Sequence, residues 1–197
     1  MIAQSVIGIH PLALILSLLA PGIVPGIATA QNSAIGTNAI VSEEGVKAAY
    51  LYRFLQYVDW PVGSFQRPDS PFVIGIVNND DIADHLVKAV AGRSVNNRIV
   101  TVKKLHPGDG VAGINLLFVG NAEKQRLVQW LRQSKEHPML VVSDADDALA
   151  KGSMINFRIV DERVRFEVAL DPVEKSGLKL NSRILTVALS VIKGTVQ

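Results

Sequence analysis

The sequence predicts a single α/β domain of three layers: a mixed β-sheet with flanking helices and an antiparallel hairpin in its C-terminal part. Three observations predict it. Short apolar runs alternate with segments of helical periodicity from Val46 to about Lys151, the pattern of strands and helices wound in turn. Two segments with period-two alternation then face each other across Asp161-Glu162, which reads as a hairpin. No internal repeat, low-complexity tract or interdomain linker divides the chain.

The elements can be justified in order. The 197 residues include 20 Lys and Arg and 18 Asp and Glu, and the first of these charges is Glu43. Within the uncharged block, residues 11–20 form an apolar segment broken by Pro21 and Pro25, and Ala28-Thr29-Ala30 supplies the small-x-small pattern read by a signal peptidase;. The segment is shorter than the ~20 apolar residues of a membrane span. Residues 1–30 are therefore expected to be a cleaved export leader, although residues 1–10 contain no Lys or Arg. Residues 31–42 read as a flexible lead-in, and 43–197 as the domain.

Ser42 is a good helix cap, and Glu43 and Glu44 suit the positive end of a helix dipole;. Val46, Ala49, Tyr50, Phe54, Tyr57 and Val58 recur at helical steps, so a helix is expected over 43–59, stopped by Trp60-Pro61;. Phe72 to Val77 reads as a strand covered on both faces. Asn78-Asn79-Asp80-Asp81 should cap a helix that turns Ile82, Leu86 and Val90 inward and stops at Gly92;. Strands are expected over 98–105, 116–119 and 139–142. A helix should open at Asn121 and run to about Lys135, and a short one should run from near Ala145 to Lys151. The hairpin arms are 154–160 and 164–170. The tail, 172–193, reads as helical with a break at Ser176-Gly177.

Composition excludes several functions. A net charge of +2, with no Lys/Arg run, gives no phosphate-tracking surface for nucleic acid;. Zero cysteines exclude disulfides, thiol catalysis, iron–sulfur clusters and Cys-based zinc sites;. Gly63-Ser64 and Gly152-Ser153 lack the Gly-x-Ser-x-Gly elbow, and no phosphate-cradling Gly-x-x-x-x-Gly-Lys loop is present;. The turn after the first long strand carries Asp80 and Asp81 where a dinucleotide site needs glycines;. Asp81 and His85 share a helical spacing but have no evident third ligand, and Asp144, Asp146 and Asp147 fail the EF-hand pattern and read as helix caps;. No cofactor or metal is expected.

Six residues remain as candidates for a ligand or partner surface. Tyr57, Trp60 and Phe65 cluster near the end of the first helix, either as core or as the lining of a pocket. Arg158 and Glu167 stand on facing hairpin arms, where a cross-strand ion pair competes with ligand binding. Arg183 follows Asn181-Ser182, a cap for the last helix where an anion could sit. The helix containing Leu127, Val128, Trp130 and Leu131 is apolar on more than one face, which suggests burial on two sides or an oligomer contact.

Three ordered segments carry a resemblance. Val46-Lys-Ala-Ala-Tyr-Leu-Tyr-Arg-Phe-Leu-Gln-Tyr-Val-Asp-Trp-Pro61 is followed by Gly152-Ser-Met-Ile-Asn-Phe157 with Val164-Arg-Phe-Glu-Val168, and then by Gly177-Leu-Lys-Leu-Asn-Ser-Arg-Ile-Leu185; Leu140-Val-Val-Ser-Asp144 fits as well. Together they resemble the YfiR-like periplasmic proteins over nearly all of 46–193. The resemblance implies a non-catalytic α/β domain that tends to form a homodimer and inhibits an inner-membrane diguanylate cyclase by binding its periplasmic region. Cyclic-di-GMP signalling and biofilm formation would fall accordingly. Family members often carry cysteines, one just before the strand that here follows Ile114-Asn115, so a disulfide switch is not available to this chain. The family's Gly-Gly is Gly152-Ser153 here, and its Ser-Ser-Arg is Asn181-Ser182-Arg183. The expected function is thus an exported regulator. The alternative is a periplasmic small-molecule module with its ligand near Trp60 and Arg183, and a hydrolase using Asp144 or Glu167 is the weakest reading.

Overall fold

A computed structural model describes residues 42–194 of the chain. The expected leader and the lead-in up to residue 41 lie outside the described residues. Along the chain come α1 (Glu43–Phe54), β1 (Val58–Asp59), β2 (Phe72–Val77), α2 (Asp80–Val90), β3 (Ser94–Val95), β4 (Arg98–Leu105), β5 (Leu116–Val119), α3 (Leu127–Gln133), β6 (Leu140–Ser143) and α4 (Ala148–Lys151). The order continues with β7 (Ile155–Val160), β8 (Arg163–Ala169), α5 (Leu170–Lys175), β9 (Lys179–Leu180), α6 (Ser182–Val187) and β10 (Ser190–Ile192).

Eight strands form one mixed sheet in the order β10-β8-β7-β6-β5-β2-β4-β3, while β1 and β9 pair antiparallel as a separate ribbon. From β4 through β2, β5 and β6 to β7 the pairing is parallel, and β8 returns antiparallel as the hairpin. The central strands bury both faces, with the pleat dividing their side chains between two cores. Ile74, Ile76, Leu116, Phe118, Leu140 and Val142 join one core with residues of α1 and α2. Val77, Leu117, Val119 and Val141 join the other, with residues of α3 and α4. These are the three layers of the predicted α/β fold.

The first core is closed by rings. Phe54 of α1 meets Phe157 and Phe166 of the hairpin at centroid distances of 5.9 and 5.2 Å, and Tyr50 meets the same two at 6.0 and 5.5 Å. Gly75, at the middle of β2, lies where a Cβ would stand 2.7 Å from Ile114 Cδ1 and 2.9 Å from Leu105 Cδ1. A side chain there would displace the packing of the second core.

Several boundaries differ from expectation. α1 stops at Phe54, with its last turn closed by bonds from Gln56 N to Arg53 O and from Tyr57 N to Phe54 O. Trp60, ahead of Pro61, cannot easily stay helical, and pairing with β9 draws Val58 and Asp59 into an extended strand. The helix expected over 121–135 is broken into short 3₁₀ turns at Asn121–Glu123 and Ser134–Glu136 around α3. The tail breaks at Gly177, whose φ is +77°, but it is not wholly helical, because β9 and β10 find strand partners within it. α4 begins at Ala148, not Ala145, and no side chain caps it.

Candidate functional site

The six candidate residues do not form one site. Tyr57, Trp60 and Phe65 pack, half-buried, against the core shared by α1 and α2. Trp60 and Phe65 both stand edge-on to Phe72, at 5.5 and 4.9 Å, and Trp60 Nε1 donates to Leu55 O at 3.4 Å. Arg98 closes the group from outside. Its guanidinium lies 3.8 Å from the Phe65 ring centroid and donates to Ser70 O at 2.7 Å. Arg183 reaches the same end of the fold because β1 pairs with β9 and Asn181 N donates to Tyr57 O at 2.8 Å. Asn181 caps α6 by accepting from Arg183 N at 2.9 Å. The Arg183 side chain is exposed and makes no ion pair among the described residues.

Arg158 and Glu167 belong to the opposite face of the sheet. They are diagonal rather than directly opposed, since Arg158 registers with Arg165 and Glu167 with Asn156. Arg158 Nε stands 3.9 Å from Glu167 Oε2, and its Nη1 stands 3.6 Å from Asp146 Oδ1. Both are ion-pair distances too long for hydrogen bonds. Glu167 Oε1 instead accepts from Ser190 Oγ at 3.1 Å, which ties β8 to β10. The two side chains help line a cavity of about 430 Å³ bounded by α4, the start of α5, and the β7, β8 and β10 strands. Trp130, by contrast, is buried within the second core, and Val128 beside it is exposed, so α3 buries one side rather than two.

A second polar cluster was not legible in the sequence. The chain runs from β2 to β4 on one side and then crosses to β5 on the other. In open α/β sheets the crevice at such a switch point, beyond the carboxyl ends of the strands, is where ligands bind. Here a buried lysine reaches the neighbouring strand ends. Lys47 of α1, 7% exposed, places Nζ 2.5 Å from Asp144 Oδ2 and 2.6 Å from Glu43 Oε1. Asp144 Oδ1 accepts from Asn121 N at 2.6 Å, so one carboxylate joins α1 to the ends of β5 and β6. Asp144 is thus a tie between elements and not the helix cap expected. Burial pushes the Lys47 ammonium down, and its hydrogen bonds to Asp144 and Glu43 more than reverse this, leaving it above its ordinary value of 10.5. At the end of β2, buried Glu123 accepts from Asn78 Nδ2 at 3.0 Å and pairs with Arg126 at 3.1 Å. The separation of 97 residues between Lys47 and Asp144 hides their contact from any local reading.

Asp81 and His85, the helical pair, remain on α2, where His85 Nε2 lies 3.4 Å from Ser42 Oγ. No helix among the described residues is long and apolar enough to cross a membrane.

The cavity and the lysine tie share Arg158, which also lines a smaller hollow of about 320 Å³ beside Lys47 and Asp144. The model of the YfiR/HmsC-like family matches residues 44–189, a span that takes in the elements from α1 to α6 and leaves out β10. That span covers about three quarters of the chain and includes Lys47, Asp144 and Asn181, and the chain belongs to the YfiR/HmsC-like family.

Proposed function

We infer that this protein is an exported, non-catalytic regulator that acts in the periplasm on an inner-membrane diguanylate cyclase. It binds the cyclase's periplasmic region and holds cyclic-di-GMP synthesis down. The observation that carries the reading is membership of the YfiR/HmsC-like family across 44–189. The uncharged leader with its Ala28-Thr29-Ala30 motif supports export;. In this reading residues 1–30 are removed, 31–42 form the lead-in, and 43–197 are the working domain, which pairs with a second copy.

The disposition of these side chains supports a binding role. Lys47, the most deeply buried Lys or Arg among the described residues, is engaged by Asp144 and Glu43, and Trp60 and Phe65 pack on Phe72. Of the candidate residues, Arg183 faces outward, and Arg158 and Glu167 line the cavity on the opposite face of the sheet. Deleting the gene is expected to raise cellular cyclic-di-GMP several-fold, and crosslinking in whole cells should capture a membrane cyclase. Unchanged cyclic-di-GMP together with no captured membrane partner would overturn the regulatory reading. Export is tested separately: the periplasmic fraction should yield a chain beginning at Gln31, and a chain still beginning at Met1 would reject it.

A further inference from the structure

We propose that the cavity bounded by α4, α5, β7, β8 and β10 binds a short zwitterionic peptide, its amide paired with Asn156 and its charged ends met by Arg158 with Lys175 and by Glu167 with Asp171. The argument begins with Asn156. It lies on β7, is 2% exposed, lines the cavity, and its Oδ1 has no hydrogen-bond partner. A buried carbonyl oxygen without a partner costs stability, and native proteins rarely leave one unpaired. A side-chain carboxamide offers one acceptor and two donors. A second amide, which also presents N–H beside C=O, satisfies both sides at once, whichever way the carboxamide is turned.

The charged groups narrow the ligand further. Arg158 makes no hydrogen bond among the described residues, only the two long ion pairs to Asp146 and Glu167. Lys175, at the end of α5, makes no ion pair among them. Glu167 Oε2 has only the long Arg158 contact, and Asp171 Oδ1 receives a single 3.3 Å bond from Gly194 N. Two cations, Arg158 and Lys175, and three carboxylates, Asp147, Glu167 and Asp171, thus line a cavity that also holds the unpaired Asn156 Oδ1. A simple anion would meet Asp147, Glu167 and Asp171, and a simple cation would meet Arg158 and Lys175, each unfavourably;. A molecule carrying an ammonium, an amide and a carboxylate meets a partner at every point. The apolar lining, chiefly Leu149, Pro172 and Ile192, suits a small side chain. The volume of about 430 Å³ lies within the range of small-ligand sites;.

The inference stands on the cavity and not on the cyclase reading, so either can fail alone. It is tested by thermal unfolding of the mature protein with millimolar alanyl-leucine, tri-alanine, free leucine or N-acetyl-leucine amide. One of the two peptides should raise Tm by about 3 °C or more, and the uncharged amide should not. Asn156→Leu should abolish the shift while melting, without ligand, at or above the wild-type temperature, because an unpaired buried polar group has been removed. Lys175→Gln, an exposed change that leaves the fold alone, should weaken peptide binding about ten-fold by calorimetry, equivalent to ~1.4 kcal/mol. The proposal is overturned if neither peptide shifts Tm, if free leucine or the neutral amide acts as strongly, or if the shift survives in Asn156→Leu. Should that variant fail to fold, full peptide affinity in Lys175→Gln overturns it instead.

Discussion

At the scale of single residues, Lys47 and Gly75 show how much a fold can hang on one position. Lys47→Met would leave Asp144 with only its backbone donor in a largely dry site. Breaking a buried pair from one side is costly, and we expect a loss of about 2 kcal/mol by urea denaturation. The pH dependence follows from the raised Lys47 value. A group whose folded value lies above its unfolded one stabilises fully below the unfolded value and ceases to do so as pH rises through the folded value. The wild-type advantage over Lys47→Met should therefore be level from neutral pH toward 10.5, shrink above it, and show no alkaline component at lower pH. Gly75→Val should cost about 2–3 kcal/mol by forcing Ile114 and Leu105 aside;. Phe54→Ala, which removes the ring between Phe157 and Phe166, should cost about 3–5 kcal/mol;.

At the scale of elements, legibility followed locality. The strands at 72–77, 98–105 and 116–119 were readable because each is a continuous or alternating apolar run whose burial is written in its own residues. The hairpin at 155–169 was readable for the same reason. β1, β3, β9 and β10 were not, since two or three residues carry no period and become strands only through their partners. The turn between β3 and β4 did leave a trace: Asn96 and Asn97 both adopt positive φ, 50° and 62°, as two-residue hairpin loops require;. Asp161 and Glu162 do the same at 49° and 58° with a less suitable pair of side chains. Glu162→Gly should accordingly raise stability by about 0.5–1 kcal/mol, read from the thermal midpoint. The candidate site divided along the same line. Arg158 and Glu167 were found because they share a hairpin, whereas Asn156 looked like any polar residue on an alternating strand until its burial was seen.

At the scale of the whole molecule, the family match ends at residue 189, and the sheet then gains one further strand. β10 covers the edge of β8 and supplies Ile192 to the cavity wall. A chain ending at Leu189 should melt about 5 °C lower and lose any ligand response of the cavity. It should also self-associate more readily, since an uncovered edge strand offers unpaired backbone groups. A truncated chain that matches the full one in melting and in solution size would show β10 to be dispensable.

The pairing of β6 with β7 spans two registered positions, Val142 with Ile155 and Ser143 with Asn156, whereas β5 with β6 spans four and β7 with β8 spans six. Among the joins between interior strands this is the shortest, and it makes a seam. The amides of β7, β8 and β10 should then exchange with deuterium together, in one cooperative opening at lower free energy than those of β2 and β5. Lys47 and Asp144 lie beside that seam, and Asn156 lies on it. Whatever binds the cavity would act as a stitch across it, slowing exchange along the whole outer third of the sheet. Occupancy on one face could in this way be felt at the far edge without any change in the resting shape.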